Sequence, residues 1–231
     1  MATRATTRRA DRRAEERHAR LLARGTDDHY EDAALYDFEY FDRSEDVEFY
    51  QELAHELARE QGRPLRILEL GAGTGRITTV LLRDGHHLTA LDRMAPMLAR
   101  LEAKVVRPEE RARLRIIEAD MSAPPIDEGA FDLVIAPFNA LMHLYEHATL
   151  LRCFAAARRG LVEGGTFAFD VLLPDLEWLM WDPDERHAVT AFVHPTTGEE
   201  LIYSTNHTYD PGSQICHIRI FYDDAPRPGV D

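Results

Sequence analysis

Residues 65–76 read LRILELGAGTGR and join a short apolar run to a glycine-rich turn. Residues 65–70 have the length and apolar content of a buried strand. The glycines that follow let the backbone bend tightly and approach a ligand closely. Residues 74–83 then read as a helix. A strand, a glycine turn and a helix in this order predict a ligand site beyond the carboxyl end of the strand.

Apolar runs and helical stretches alternate through residues 45–171. We predict helices over residues 45–60, 74–83, 96–105 and 146–160, and strands over residues 65–70, 87–91, 114–118, 131–136 and 167–171. Alternation of this kind implies right-handed crossovers between parallel strands. The sequence therefore predicts an α/β fold, a doubly wound, mostly parallel Rossmann-like sheet with helices on both faces.

The pattern changes after residue 171. Residues 200–209 and 214–222 are extended segments rich in Ile, Tyr and Thr, and residues 210–213 (DPGS) join them. Pro and Gly at the second and third positions suit a type II turn. We predict an antiparallel hairpin that serves as a lid or extends the sheet edge.

Asp92 ends the second predicted strand and can accept hydrogen bonds from both hydroxyls of a ribose. Its alternative role is to cap the helix that follows. A dinucleotide site needs the spacing GxGxxG/A. Here the glycines are Gly71, Gly73 and Gly75, and Arg76 occupies the position that such a motif needs small. S-adenosyl-L-methionine (SAM) has no pyrophosphate, and its carboxylate could be met by Arg76 or by backbone N–H groups.

Five stretches in order carry a family resemblance: residues 68–76 (LELGAGTGR), 88–92 (LTALD), 118–121 (EADM), 131–136 (FDLVIA) and 161–166 (LVEGGT). With them, residues from about 36 to 175 resemble the class I SAM-dependent methyltransferases. The resemblance is to the small-molecule type and includes the amino-sugar N-methyltransferases. It implies SAM as cofactor and S-adenosyl-L-homocysteine as product.

The resemblance also implies roles for single residues. Glu69, Gly71 and Gly73 would line the methionine part of SAM, and Asp92 would bind its ribose. The adenine would meet Met94, Asp120 and Met121, although core packing is the alternative for both methionines. The candidate cofactor-binding residues are Tyr36, Glu69, Gly71, Ala72, Gly73, Thr74, Gly75, Arg76, Asp92, Arg93, Met94, Asp120, Met121 and Pro137.

The candidate catalytic residues are His143, Asn139 and Tyr40. His143 lies in the loop after the fourth predicted strand, and its ordinary pKa near ~6.5 suits a general base. Asn139 in the same loop would position the acceptor. Tyr40, Tyr36 and Tyr30 belong to a segment similar to the N-terminal helix that covers SAM in small-molecule methyltransferases. Helix capping or packing is the alternative role for His143, and helix docking is the alternative for the tyrosines.

Charge and composition narrow the partners. The formal net charge of -14 argues against a nucleic-acid binder, and the loop at 137–144 lacks the motif of nucleobase methyltransferases. No apolar stretch approaches the ~20 residues of a membrane span. Two cysteines without a CxxC pair suit a reducing cytoplasm. We expect a small-molecule methyl acceptor and no metal. The alternatives are a nicotinamide-dependent oxidoreductase and a non-catalytic SAM-binding protein.

Four regions follow from these patterns: a flexible basic arm (1–28), a helical cap over the cofactor (29–62), a SAM-binding core (63–171) and a substrate-side lobe with the hairpin (172–231). The resembling fold ordinarily ends with further strands. Either the hairpin occupies that sheet edge, or it is an inserted lid and those strands are missing. The second alternative leaves an uncovered edge that could favour a homodimer.

Overall fold

A computed structural model describes residues 27–225. The chain divides into two compact units, and the division falls between Asp170 and Val171. The predicted basic arm therefore lies almost wholly outside the described residues. Within residues 27–225, no helix is long and apolar enough to cross a membrane.

The first unit is a helix-flanked sheet. Its helices are α1 (Asp27–Glu31), α2 (Ala33–Glu39), α3 (Glu45–Gln61), α4 (Thr78–Arg83), α5 (Ala95–Lys104), α6 (Pro108–Arg111) and α7 (His147–Gly160). Its strands are β1 (Arg66–Leu70), β2 (His87–Asp92), β3 (Leu114–Glu118), β4 (Phe131–Ala136) and β5 (Leu161–Phe169). A 3-10 helix spans Ala140–His143.

The five strands form one parallel sheet in the order β3-β2-β1-β4-β5. The predicted α/β fold is thus confirmed. The chain moves outward from β1 through β2 to β3 and then returns to place β4 on the other side of β1. In open α/β sheets, ligands bind at such a switch point, outside the carboxyl ends of the strands.

Side chains of the central strands alternate between two apolar cores. Ile67 and Leu133 face one core with α3, α4 and α5, whereas Leu68 and Val134 face the other core with α7. All four side chains are fully buried. Burial on both faces explains why these strands read as continuous apolar runs rather than as an alternating pattern.

Two elements begin more than two residues away from their predicted starts. The helix expected from residue 74 begins at Thr78, because Gly75 is still part of the turn (φ +81°). The Gly75 carbonyl accepts from Thr79 N–H at 3.0 Å, a hydrogen bond that leads into the first turn of the helix. The fifth strand is longer than predicted and begins at Leu161, because the pairing with β4 shifts register between Phe131 and Leu133 and then continues.

The second unit is a three-stranded antiparallel sheet in the order β6-β7-β8. Its elements are α8 (Leu176–Leu179), β6 (His187–Val193), β7 (Glu200–Asp210) and β8 (Ile215–Asp224). The hairpin was predicted, but β6 was not. The hairpin strands pair within this separate sheet, so the alternative in which they occupy the edge of the parallel sheet is wrong.

The hairpin turn is also not of type II. That turn needs a positive φ at Gly212, and Gly212 has none. Instead Gln214 takes the left-handed conformation (φ 59°), and its N–H donates to the Asp210 carbonyl at 2.8 Å. The Asp210 carboxylate stabilises this longer loop, because it accepts from Gly212 N at 3.0 Å and from Ser213 Oγ at 2.6 Å.

Candidate functional site

The glycine turn lies between the carboxyl ends of β1 and β2. Gly71 (φ +75°) and Gly73 (φ +54°) both take conformations that L-residues rarely adopt. The N–H groups of Gly71 and Ala72 donate to the Leu91 carbonyl at 2.8 and 2.9 Å. A Cβ on Gly71 would lie 2.9 Å from the Ala140 Cβ, so only glycine lets the loop after β4 close over the turn.

Asp92 ends β2 and fixes the turn from the side. Its Oδ2 accepts from Gly73 N at 2.8 Å, and its Oδ1 accepts from Met94 N at 2.9 Å. Burial raises the pKa of this carboxyl group, and the hydrogen bonds from the backbone N–H groups act in the opposite direction. A carboxylate has about four acceptor positions, so acceptor capacity remains for a ligand hydroxyl.

A cavity of about 350 Å³ opens beside the turn and Asp92. It is lined by residues from α1, α2, the ends of β1, β2, β3 and β4, and the starts of α5 and α7. The lining residues are Asp27, Tyr30, Tyr36, Gly71, Gly73, Leu91, Asp92, Arg93, Met94, Met97, Ala119, Asp120, Met121, Pro137, Phe138, Ala140, His143, Leu144, Tyr145, Glu146 and Thr149.

Most residues that the sequence nominated line this cavity. Those in its wall are Tyr36, Gly71, Gly73, Asp92, Arg93, Met94, Asp120, Met121, Pro137 and His143. The nominated residues outside the wall are Tyr40, Glu69, Ala72, Thr74, Gly75, Arg76 and Asn139. The structure thus brings the two predicted groups together, the cofactor residues and the histidine.

Glu69 lies behind the wall rather than in it. Its side chain is buried, and its Oε2 accepts from Thr78 Oγ1 at 2.5 Å. Burial raises its pKa to about 8, against the hydrogen bond from Thr78. Burial thus favours the protonated form of this carboxyl group.

Arg76 is engaged by protein acceptors. Its guanidinium donates to the Asp46 carboxylate and to the Arg43 carbonyl, the latter at 2.7 Å. It also lies 4.7 Å above the Phe138 ring. The residue that argued against a dinucleotide site therefore connects the start of α3 to the loop after β4, and it does not reach the cavity.

Aromatic rings form the wall opposite the turn. Tyr36 lines the cavity and packs on Tyr40, with ring centroids 4.8 Å apart. Tyr40 in turn meets the Phe138 ring edge-on at 5.1 Å. Tyr40 thus supports the wall from behind, whereas Tyr30 and Tyr36 present their rings to the cavity.

His143 ends the 3-10 helix and faces Tyr30 across the cavity. Its Nε2 lies 3.0 Å from the Tyr30 hydroxyl. Burial lowers the pKa of His143, and the positive charges of Arg93 and His29 lower it further. A lowered pKa keeps this imidazole neutral at neutral pH, which is the form that can accept a proton.

The backbone before His143 is held in an unusual conformation. Phe138 (φ 53°) and Asn139 (φ 61°) are both left-handed although neither is glycine. Their N–H groups donate to the two oxygens of Asp170 at 2.7 and 3.0 Å, and Tyr50 donates to the same carboxylate at 2.8 Å. The conformation turns the chain so that Asn139 stays out of the wall and His143 enters it.

Sequence reasoning did not nominate several lining residues. Asp27 comes from α1, and Tyr145, Glu146 and Thr149 come from the segment after His143. Tyr145, Glu146 and Thr149 follow His143 closely in the chain, and that nearness could have identified them. No feature of the sequence pointed to Asp27 as a lining residue. Among residues 27–225, no group of three or more His, Cys, Asp or Glu side chains could hold a metal ion.

Residues 67–165 match the family of methyltransferase domains. They form a methyltransferase domain. Given its parallel sheet and its glycine turn, the domain is of the class I, SAM-dependent type that the sequence resembles, and its cofactor is SAM. The predicted family and cofactor are confirmed.

Curated relatives share this domain rather than their full length. The malonyl-[acyl-carrier protein] O-methyltransferase of Paenibacillus sp. (strain JDR-2) is 30% identical over 114 residues, covering 48% of this chain and 40% of that protein. The enzyme of the same name from Geobacter sulfurreducens is 35% identical over 116 residues, covering 49% and 40%. The methyltransferase domain described here thus spans about two-fifths of the length of these relatives.

Solved structures share the fold over a longer stretch. The CcbJ methyltransferase from Streptomyces caelestis superposes with a TM-score of 0.56 at 23% identity, covering 75% of this chain and 70% of that one. The sugar N-methyltransferase KedS8 from Streptoalloteichus sp. ATCC 53650 gives 0.57 at 16% identity, covering 82% and 77%. The TM-scores show a common fold, and at identities this low the likeness shows the fold alone.

The lining residues are chemically compatible with SAM. Gly71 has no side chain, so a ligand can approach the backbone closely there, and Asp92 has acceptor capacity left for hydroxyl groups. Met94 and Met121 contribute apolar surface to the cavity wall.

Proposed function

We propose that this chain transfers the methyl group of SAM to a nitrogen or oxygen of a small molecule. One observation supports the proposal. The same cavity is lined by the glycine turn, by Asp92 at the end of β2, and by His143, whose lowered pKa favours the neutral imidazole. A cofactor site and a proton acceptor in one cavity are the two parts that methylation of an ionisable acceptor needs.

When bound, SAM supplies an electrophilic methyl group on a sulfonium. The protein contributes mainly by alignment, which can lower the barrier by up to ~7–11 kcal/mol. We propose that Asp92 and the glycine turn hold the cofactor, and that Asp120 and Met121 hold its adenine. Tyr36 and Tyr30 exclude water from the side of α1 and α2.

His143 would take the proton of the acceptor through Nε2. In the cofactor-free protein this nitrogen faces the Tyr30 hydroxyl, which can donate to it or accept from it according to the tautomer. An acceptor entering the cavity would replace Tyr30 as the hydrogen-bond partner. Burial, together with the positive charge of Arg93, lowers the pKa of His143 and so favours an unprotonated imidazole before the acceptor arrives.

Binding and turnover test the function separately. SAM at a hundred times its Kd should stabilise the protein by about 2.7 kcal/mol, seen as a raised Tm, whereas NAD should leave the Tm unchanged. Labelled methyl from SAM should then appear in an amine, a hydroxyl or a carboxylic acid of an acceptor panel. The panel spans these classes because the relatives are named both O- and N-methyltransferases. A SAM-induced shift without turnover on any acceptor would favour the non-catalytic alternative.

The pH dependence tests the role of His143. The group works when neutral, so kcat/KM should stay level at and above neutral pH and fall as the pH drops through a pKa below 6.5. The His143→Gln variant should lose this acidic limb and about 10²-fold in kcat. His147→Gln is the matched control, because His147 is exposed and lies four residues away outside the wall. An acidic limb that persists unchanged in His143→Gln would assign the titration to the acceptor instead.

A further inference from the structure

Lys104, the last residue of α5, is the single lysine of a chain whose other basic side chains are arginines. Its ammonium makes two contacts. Nζ donates to the Thr74 carbonyl at 2.9 Å and to Asp37 Oδ1 at 2.7 Å. One contact is to the backbone of the glycine turn, and the other is to the cap. From here on, the cap means α1 and α2 (residues 27–39), which make up the first part of the predicted helical cap (29–62).

Helix α5 packs its Leu101 side chain so closely against Gly75 of the glycine turn that a Cβ there would clash with it. A Cβ on Gly75 would lie 2.1 Å from Leu101 Cδ1 and 3.3 Å from Leu101 Cβ. Lys104 lies one helical turn beyond Leu101, on the same face. The helix therefore holds the turn at two successive points, by packing at Gly75 and by a hydrogen bond at Thr74.

Asp37 joins the cap to Thr74 of the glycine turn and to Lys104 of α5. Its Oδ1 accepts from Thr74 Oγ1 at 2.6 Å as well as from Lys104. Thr74 is buried, so this contact is shielded from water. Asp37 directly follows Tyr36, a residue of the cavity wall, and the hydrogen bonds to Lys104 and Thr74 lower the pKa of Asp37 despite its partial burial.

We propose that Lys104 is a positioning residue that locks the cap onto the glycine turn and thereby slows the departure of the cofactor. The proposal rests on the proposed function, because it takes the cavity under the cap as the SAM site. A compact ammonium with three donors can meet a carbonyl and a carboxylate that lie in different planes, which a planar guanidinium meets less well. This geometry explains why residue 104 is a lysine in a chain that uses arginine everywhere else for a permanently charged cation.

The direct test is the rate at which labelled SAM leaves the protein after dilution into unlabelled SAM. Lys104→Met should remove the donor to the Thr74 carbonyl and the cation at Asp37 Oδ1, leaving Asp37 with Thr74 Oγ1 and Arg100 alone, and should raise the dissociation rate roughly tenfold to a hundredfold. Asp37→Asn should act in the same direction. The double variant should be no faster than the faster single variant, because both substitutions release the same contact. In turnover, KM for SAM should rise while kcat changes little.

Arg100→Met is the matched control. Arg100 lies on the same helix and donates to the other oxygen of Asp37 at 2.8 Å, but its side chain is 46% exposed and the described contacts do not include the glycine turn. We expect less than about a threefold change in its dissociation rate. Lys104→Arg, which keeps the charge, should restore part of the wild-type rate.

A second measurement does not require SAM. Hydrogen exchange of amides 33–39 in the cofactor-free protein should accelerate in Lys104→Met and not in Arg100→Met. Equal exchange in the two variants, or a SAM dissociation rate in Lys104→Met no faster than in Arg100→Met, would overturn the proposal. If wild-type protein does not bind SAM, the proposed function fails, and the exchange rates still decide whether Lys104 holds the cap.

Discussion

Replacing Asp92 with alanine should lower the affinity for SAM by about a hundredfold or more. The substitution removes acceptors for the ribose hydroxyls, and each hydrogen bond to a charged group contributes about 1.5–3 kcal/mol. It also releases Gly73 N–H and Met94 N–H, which Asp92 holds at 2.8 and 2.9 Å. Because Gly73 lines the cavity, the loss affects the shape of the site as well as its chemistry.

Isothermal titration with SAM measures this effect, and two companion variants interpret it. Glu118→Ala removes an acid at the end of the neighbouring strand β3, outside the cavity wall, and should bind SAM as the wild type does. Asp92→Asn keeps the shape of the side chain but presents an amide group where two acceptors are needed, so it should bind nearly as weakly as the alanine variant. Unchanged affinity in Asp92→Ala would remove the ribose assignment.

Replacing Gly75 with alanine should destabilise the protein by roughly 3 kcal/mol. About 1–2 kcal/mol comes from holding an L-residue at φ +81°. The rest comes from overpacking, since the new Cβ would lie 2.1 Å from Leu101 Cδ1 and 3.1 Å from its Cγ. A rotamer change of Leu101 can move Cδ1 and Cγ but not Cβ, which would stay 3.3 Å from the new Cβ, so the relief is incomplete.

Urea unfolding at 25 °C measures this cost, and Gly62 separates its two parts. Gly62 is also left-handed (φ +65°), but a Cβ there would meet nothing within 4 Å. Gly62→Ala should therefore lose only about 1 kcal/mol. In a Gly75→Ala, Leu101→Ala double variant the combined loss should be smaller than the sum of the single losses. Equal losses at Gly75 and Gly62 would mean that packing against α5 does not require the glycine.

Local patterns predicted the parallel sheet and its ligand edge well. The apolar runs of β1 and β4 are buried on both faces, so their composition identified them without knowledge of their neighbours. Asp92 was nominated because it stands at the end of the next apolar run along the chain, which forms β2. The predicted fold, family and cofactor are confirmed, whereas the roles of single site residues remain predictions.

Contacts between distant parts of the chain could not be predicted. Arg76 was available to the cofactor from sequence alone, but it pairs with Asp46, thirty residues earlier. The contact of Asp37 with Lys104 spans 67 residues. Strand β6 was also not predicted; its extended backbone is interrupted at Ala188 (φ 55°), where the register with β7 shifts, so only residues 190–193 pair in an unbroken run.

The left-handed conformations of Phe138 and Asn139 affect the enthalpy and entropy of activation. Strained backbone of this kind costs about 1–3 kcal/mol per residue, and the hydrogen bonds to Asp170 offset it when the chain folds. We therefore expect the loop that carries His143 to hold this conformation before an acceptor arrives. Little entropy is left to lose on the way to the transition state, so the barrier of the reaction should be mainly enthalpic.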